Sequence, residues 1–425
     1  MANASSPSIY EIMTIDKDGK TVDLRPATVK FSYYESLLSP NITASMSFVD
    51  TGGSIKADSK YDPQERITTV YNGLPITGAE KIKFKIQSKL GTLDFTTNPL
   101  LVNGVSPPGA DQGTRQIVTL DLVSESAIKN QEATVFAKYR GNIGNTVKKI
   151  LSDYLEVSSD KVDVDEVKNS YNFIGNSRNP FEIICSLGPK TIPSEGLSGF
   201  FFYETQDGFK YKAIDKLIST APKSVYYRND GLESSIDNDS NDYKMASVSI
   251  QKNQNVINAL KSGVYLSRNL FFDPRTLEYA EIITELGKDG LKSSLGKDVD
   301  IPTENSFTRT HYHIVDIGTL EKTAAGEINN DPKEYQATSS TRYNLLFTQI
   351  ISITVPCNPN LRAGDVIRCE FEMITQGSKE QGYADPTQSG NYLILNLCHD
   401  FTPKRSFTSL TLVRDTYGLY TSKAG

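Results

Sequence analysis

The sequence predicts a mainly β protein with an α+β insertion, on three observations. Strand-sized runs of alternating apolar and polar residues occur before residue 125 and again after residue 343. Two amphipathic helical patterns and one aromatic hairpin lie between these regions. The 425 residues exceed what one small core can hold and fit about two to four domains. A modular chain is therefore expected.

Residues 1–125 are predicted to form the first β domain. Its clearest strand is Lys81–Gln87, in which apolar residues alternate with three lysines and a glutamine. Because successive side chains of a strand point to opposite faces, this pattern predicts one buried face and one face lined by lysines. Val118, Leu120 and Leu122 repeat the two-residue period and indicate a further strand of the same sheet or barrel.

Residues 126–242 are predicted to form an α+β domain with two helices and an aromatic hairpin. Apolar residues recur with helical spacing over 143–155, and Asn142 can cap the first turn. The second helix is expected to start directly after its cap, Asn179, where proline occupies the first helical position. It should stop at Gly188, which a proline follows.

The hairpin prediction depends on a turn between two aromatic segments. Phe200–Glu204 and Phe209–Lys212 flank a turn that contains Asp207 and Gly208. An Asp-Gly pair favours a tight reversal with positive φ. We interpret the aromatic run as core or subunit interface rather than as a ligand cage.

The second β domain is predicted from two segments, 243–284 and 343–415. A polar insertion, 285–342, separates them and is expected to be a surface excursion or an arm that wraps a partner. Residues 416–425 are expected to be a C-terminal tail. The second segment contains four strand patterns separated by turns, namely Phe347–Val355, Val366–Met373, Tyr392–Leu397 and Phe407–Val413.

Composition excludes several classes of protein. Hydrophobic residues make up 38% of the chain, which is enough for cores and argues against wholesale disorder. A net charge of −6 argues against a dedicated nucleic-acid binder, because phosphate contacts need clustered lysine and arginine. Residues 1–13 lack the pattern of a secretory signal, and no apolar run is long enough for a membrane span.

Metal binding has two weak candidates, His311 and His313, whose imidazoles would point the same way on a strand. No acidic or cysteine ligand lies close to them in sequence, so we expect no metal and no cofactor. The four cysteines lie far apart among apolar residues and are interpreted as reduced core thiols: Cys185, Cys357, Cys369 and Cys398.

Catalysis is not predicted from any motif. His399 and Asp400 are adjacent, and neighbouring residues on a strand face opposite sides, so they do not form an acid–base pair. The chain lacks tryptophan, which makes a sugar-stacking cleft less favourable, although its many carboxylates leave a glycosidase pair open. Gly364-Asp365 is interpreted as a strand-reversing turn rather than a binding site.

Three C-terminal segments resemble a known family. They are Asn360–Ile367, with its Leu-x-x-Gly-Asp turn, Gly390–Phe401, with a tyrosine seven residues before a histidine, and Phe407–Asp415, which contains Ser-Leu-Thr-Leu-Val-Arg. Together they are similar to the end of baseplate hub proteins of contractile-tailed phages. That family is related to the hub part of type VI secretion spike proteins.

The resemblance implies two similar β-barrel, tube-like domains and a homotrimer that presents six quasi-equivalent units to a sixfold tail tube. It implies a threefold spike as a second partner, contacts with other baseplate proteins, and DNA that passes through without specific binding. Such a hub would assemble in the host cytoplasm, reside in the virion baseplate and make no stable membrane insertion. Two alternatives are a tail-associated cell-wall hydrolase and the hub of a bacterial contractile secretion or injection system.

Overall fold

In the computed structural model, 45% of the described residues lie in strands and 20% in helices, which confirms the predicted mainly β class. More than half of the predicted insertion 285–342 and all but the first residue of the predicted tail 416–425 lie outside the described residues. The described residues are 4–57, 64–111, 115–228, 240–274, 276–288, 291, 294–295, 309–315, 331–371 and 385–416.

The N-terminal part consists almost entirely of strands. The predicted strand Lys81–Gln87 is present, with Ile82, Phe84 and Ile86 fully buried and its lysines on the opposite face. Lys83 pairs with Asp16 at 2.7 Å, so the lysine face is partly neutralised. The elements are β1 Ile9–Lys17, β2 Lys20–Asp23, β3 Thr28–Ser36, β4 Thr43–Thr51, β5 Ile55–Lys56, β6 Ile67–Thr68, α1 Val70–Gly73, β7 Lys81–Gln87, β8 Thr92–Asp94, β9 Leu100–Asp111 and β10 Arg115–Val123.

The middle part contains both predicted helices and the predicted hairpin. The Asn142 side chain accepts a hydrogen bond from the Asn145 amide at the start of the first helix. Asn179 directly precedes the second helix, but the predicted side-chain cap is wrong, because its side-chain amide instead donates to the Asn130 carbonyl at 3.0 Å. Thr205 pairs with Gly208 at the end of the hairpin, where glycine has a φ of +114°. The elements are α2 Glu125–Glu132, β11 Lys138–Tyr139, α3 Ile143–Leu155, β12 Val162–Val164, β13 Phe173–Ile174, α4 Pro180–Leu187, β14 Phe200–Thr205, β15 Gly208–Ala213, α5 Ile214–Ile218 and β16 Val225–Arg228.

The C-terminal part returns to strands and includes the four that the sequence predicted. Part of the predicted polar insertion is ordered into a strand and most of a helix. The elements are β17 Ser247–Lys252, α6 Val256–Ser262, β18 Leu266–Asp273, β19 Glu278–Glu285, β20 Arg309–Ile314, α7 Gln336–Leu346, β21 Gln349–Pro356, β22 Val366–Phe371, β23 Gly390–Phe401 and β24 Ser406–Arg414.

A sheet of 14 strands joins the N-terminal and C-terminal strands. Its main path runs in the order β17, β21, β24, β23, β3, β4, β10, β9, β7, β1, β2. Along this path the antiparallel pair β3–β23 joins the two regions. One core lies behind this pair, where the Phe31 ring is 4.7 Å from Phe84 and 6.3 Å from Phe401. The predicted β regions therefore share a sheet and a core, and the domain boundaries stay a prediction.

A separate sheet of three strands has the order β19–β18–β20. One face is buried, with Ser267, Asn269 and Phe271 inaccessible to solvent. Close to this sheet, Val264 and Leu286 pack with Leu345 of α7 in a small core of their own. Among the helices of the described residues, none combines the length and hydrophobicity needed to cross a bilayer.

Candidate functional site

The weak metal candidates His311 and His313 lie two residues apart on β20, with ring centroids 6.1 Å from each other. His313 Nε2 lies 3.1 Å from Asn269 Oδ1, and its ring stacks on Phe271. Burial lowers the pKa of both imidazoles, and the positive charge of Arg309 adds to the effect at His311. Within the described part of the chain, no group of three or more metal-ligating side chains is present. The pair stays a weak candidate.

His399 and Asp400 point to opposite faces of β23. His399 is fully buried, stacks on Tyr33 and places Nδ1 2.9 Å from Thr408 Oγ1. Burial, followed by the charge of Arg362, lowers its pKa to about 3, so the imidazole is neutral near pH 7. Asp400 instead accepts a hydrogen bond from the Ser32 hydroxyl at 2.6 Å. The two side chains cannot exchange a proton directly.

The cysteine prediction is correct for two buried thiols and wrong for one. Cys357 and Cys369 are buried, Cys398 is half-buried, and all are free thiols. Cys185 is exposed because α4 buries other positions, and Cys185 shares the solvent side of that helix with Glu182, three residues earlier. A helical spacing of three places both residues on one face.

A buried carboxylate on β3 connects three parts of the chain. Glu35 is 2% exposed, and its Oε1 accepts hydrogen bonds from the Tyr33 hydroxyl at 2.7 Å and the Gln206 amide at 2.9 Å. Its Oε2 accepts from the Ala363 amide at 2.9 Å. Burial raises the pKa of Glu35, and these hydrogen bonds together with the charge of Arg362 oppose that rise. The carboxylate thus holds β3 to the hairpin and to the Leu-x-x-Gly-Asp turn.

A second buried carboxylate, Glu204, lies on β14. Its Oε2 accepts from the Ile42 amide at 3.1 Å and from the Ser124 hydroxyl at 2.6 Å. Burial raises the pKa of Glu204 to about 7, and repulsion from Glu35 adds to the rise, although the hydrogen bonds from Ser124 and Ile42 oppose it. Ile42 directly precedes β4 and Ser124 directly precedes α2, so this carboxyl connects the hairpin to the first β region. We call Glu204, Ile42 and Ser124 the Glu204 joint.

The Gly364-Asp365 turn packs against the same hairpin. Gly364 has a φ of +88°, and a Cβ there would overlap the hydroxyl of Tyr203. Asp365 Oδ2 accepts from the Arg362 amide at 2.8 Å, which closes the turn locally. Arg362 Nε in turn donates to Asp207 Oδ2 at 3.1 Å. These contacts agree with the interpretation of the turn as architecture.

Sequence reasoning missed both buried carboxylates. The available signal was on β3, where Phe31, Tyr33 and Glu35 follow one another at the two-residue spacing of a buried face. A carboxylate at such a position needs hydrogen-bond donors, because burying an unpaired charge is costly. No comparable pattern marks Glu204, which ends an aromatic run in which every residue is buried.

The outer face of the small sheet exposes large apolar and aromatic side chains to solvent. Tyr279 is 76% exposed, Tyr312 80% and Ile314 71%, although all three are large apolar or aromatic side chains. On this face Arg268 Nε pairs with Glu281 Oε1 at 2.7 Å, and at its edge Glu285 Oε2 pairs with Lys288 Nζ at 2.7 Å, so its charged groups are neutralised in pairs. Strand register places eleven side chains on it: Leu266, Arg268, Leu270, Phe272, Tyr279, Glu281, Ile283, Glu285, Thr310, Tyr312 and Ile314.

Comparison with known proteins identifies the fold. No family model matches the sequence, and no curated protein matches it significantly. A tail protein from Neisseria meningitidis MC58 is similar in structure, with a TM-score of 0.53 and 11% identity over 95% of this chain and 96% of that one. The 43 kDa tail protein of prophage MuSo2 from Shewanella oneidensis has a TM-score of 0.52 and 9% identity, over 95% and 98%.

The chain therefore has the fold of phage tail proteins. The similarity extends over almost the full length of both chains in each comparison, rather than over one shared domain. The resemblance to baseplate hub proteins, first indicated by the C-terminal motifs, is confirmed at the level of the fold.

Proposed function

We propose that this chain is the structural baseplate hub of a contractile phage tail. In this role three copies form a ring that adapts a sixfold tail tube to a threefold spike and lets the genome pass. The observation that carries the proposal is the whole-chain similarity to two tail proteins. Because likeness of fold does not determine function by itself, surface chemistry must be consistent with assembly.

The outer face of the small sheet is consistent with an assembly protein. Its exposed tyrosines and isoleucines are contiguous, whereas exposed apolar residues on soluble proteins are commonly scattered. Tyrosine is enriched at protein interfaces because it combines a large apolar ring with a polar hydroxyl. This face is a proposed contact between neighbouring copies of the chain in the ring.

Symmetry supports the proposed ring of three copies. A heterologous contact closes into a ring only if the rotation between copies fits the number of subunits. Two similar β regions in each chain would let three copies present six quasi-equivalent units to the tube. The net charge of −6 is compatible with a channel that DNA crosses without being held, since like charges repel.

The experiment that tests the proposal is the solution mass of the full chain by light scattering over a range of concentrations. A stable mass of three times 47.0 kDa is expected for the ring. Negative-stain images of the same sample should then show closed rings. A monomer at every concentration, together with turnover of purified peptidoglycan, would overturn the structural hub in favour of a hydrolase.

A further inference from the structure

The Glu204 joint contains a carboxyl group that can gain or lose a proton without breaking its hydrogen bonds. Both donors, the Ile42 amide and the Ser124 hydroxyl, bond to the same oxygen, Oε2. A proton can therefore occupy Oε1 while Oε2 continues to accept. We propose that the Glu204 joint is a proton-sensitive contact that holds the β14–β15 hairpin to the first β region more firmly when the carboxyl is protonated.

Charge around the joint favours the protonated form. Glu35, on β3, repels the Glu204 carboxylate. Among the ion pairs of the described residues, none includes Glu204. The nearby Lys129 of α2 is bound elsewhere, since its Nζ lies 2.6 Å from Glu156 Oε2 and 3.2 Å from Glu125 Oε1. An ionised Glu204 is thus a buried charge without a basic partner, which is costly in a folded protein.

Water can reach the joint through a cavity of about 230 Å³. Glu204 and Ser124 line this cavity together with Lys161, which precedes β12, and with the charged groups of α2 and of the segment that follows α3. Ile42, Phe95 and Leu100 of the main core form part of the cavity wall on the side of the first β region. The cavity provides a path by which protons can reach the carboxyl.

The direction of the pH effect follows from the raised pKa. A group whose pKa rises from 4.5 to about 7 on folding binds more protons in the folded state between these values. Stability therefore falls as pH rises through that window and is constant above it. The joint is a property of the single chain and operates whether or not the chain assembles into a ring.

The test compares the full chain with the Glu204→Gln variant by urea unfolding across the window. Glutamine keeps an acceptor for Ile42 and Ser124 but cannot ionise. The unfolding equilibrium constant of the natural chain, relative to the variant, should increase on the order of 10²-fold between about pH 4.5 and 7 and then stay level. Glu125→Gln, at a residue that lines the same cavity, is the matched control. The unfolding equilibrium constant of the natural chain relative to this control should not increase over the same pH range.

A measurement on the unaltered protein keeps the proposal testable if the variant does not fold. Hydrogen exchange at the Ile42 amide and at the amides of β14 and β15, corrected for the intrinsic effect of pH, should accelerate as pH rises from about 4.5 to 7 and then stay level. Amides of the β3–β23 pair report global unfolding and should accelerate by no more than the fall in global stability that urea unfolding measures. Unchanged protection of Ile42, or a variant whose relative stability does not depend on pH, would overturn the proposal.

Discussion

The Glu35 carboxylate accepts a hydrogen bond at 2.9 Å from the backbone amide of Ala363, a residue 328 positions further along the chain. This bond connects the N-terminal strands to the turn that carries the family-like Leu-x-x-Gly-Asp motif. It lies at one end of the β3–β23 pair, where the N-terminal and C-terminal strands of the large sheet meet. The bond therefore helps to hold the two β regions together.

Replacement of Glu35 by alanine should destabilise the whole chain. It would leave the buried Ala363 amide and Tyr33 hydroxyl and the partly buried Gln206 amide without this acceptor, and a buried group left unpaired costs about 1–3 kcal/mol. We expect a loss of roughly 3 kcal/mol in the free energy of unfolding, measured by urea denaturation. Glu11→Ala on the exposed edge of β1 is the control. Equal effects of the two substitutions would contradict a special role for Glu35.

Replacement of Gly364 by alanine tests the packing of the turn against the hairpin. Alanine at a φ of +88° is strained, and its Cβ would also overlap the Tyr203 hydroxyl. Gly19→Ala is a matched control, because Gly19 has a φ of +81° but nothing within 4 Å of a Cβ. The Gly364 variant should lose about 1–3 kcal/mol more than the control, by analogy with overpacked cores.

The double variant Gly364→Ala with Tyr203→Phe separates the two causes of the lost stability, backbone strain at residue 364 and steric overlap with the Tyr203 hydroxyl. Removal of the hydroxyl takes away the atom that the new Cβ would meet, so part of the lost stability should return. Non-additivity of this kind is expected for residues in contact. If the losses of the two single substitutions simply add, the overlap does not contribute and backbone strain accounts for the whole effect.

His399 should make the protein sensitive to acid. Burial holds its pKa at about 3, against an ordinary value of 6.5, so the unfolded chain binds more protons between these values. Stability is therefore lost as pH falls from about 6.5 to 3, which is opposite in sign to the effect of Glu204. The His399→Gln variant should lack this part of the pH dependence in urea unfolding at a series of pH values. The Glu204 contribution is common to both proteins and cancels in the comparison.

Local features of the fold could be predicted from sequence because their signals are local. The cap at Asn142, the helix start after Asn179 and the reversal at Gly208 each depend on residues within a few positions of one another. The pairing of β3 with β23 depends on segments about 360 residues apart, for which no local signal exists. The burial of Glu35 and Glu204 follows from that pairing and from hairpin docking, so the candidate site became visible only in three dimensions.

The outer face of the small sheet should be needed for assembly and not for folding. Tyr279 and Tyr312 are largely exposed, so their replacement by serine removes little buried area and should leave the urea midpoint unchanged. If this face contacts a neighbouring subunit, the double variant should shift the light-scattering mass toward 47.0 kDa at concentrations where the natural chain is larger. Phe136→Ser is the control, because Phe136 is also exposed (68%) but lies outside this face. An unchanged mass in the double variant would exclude the face from the ring contact and leave it for another baseplate partner, which a binding assay with purified tube or spike protein would then identify.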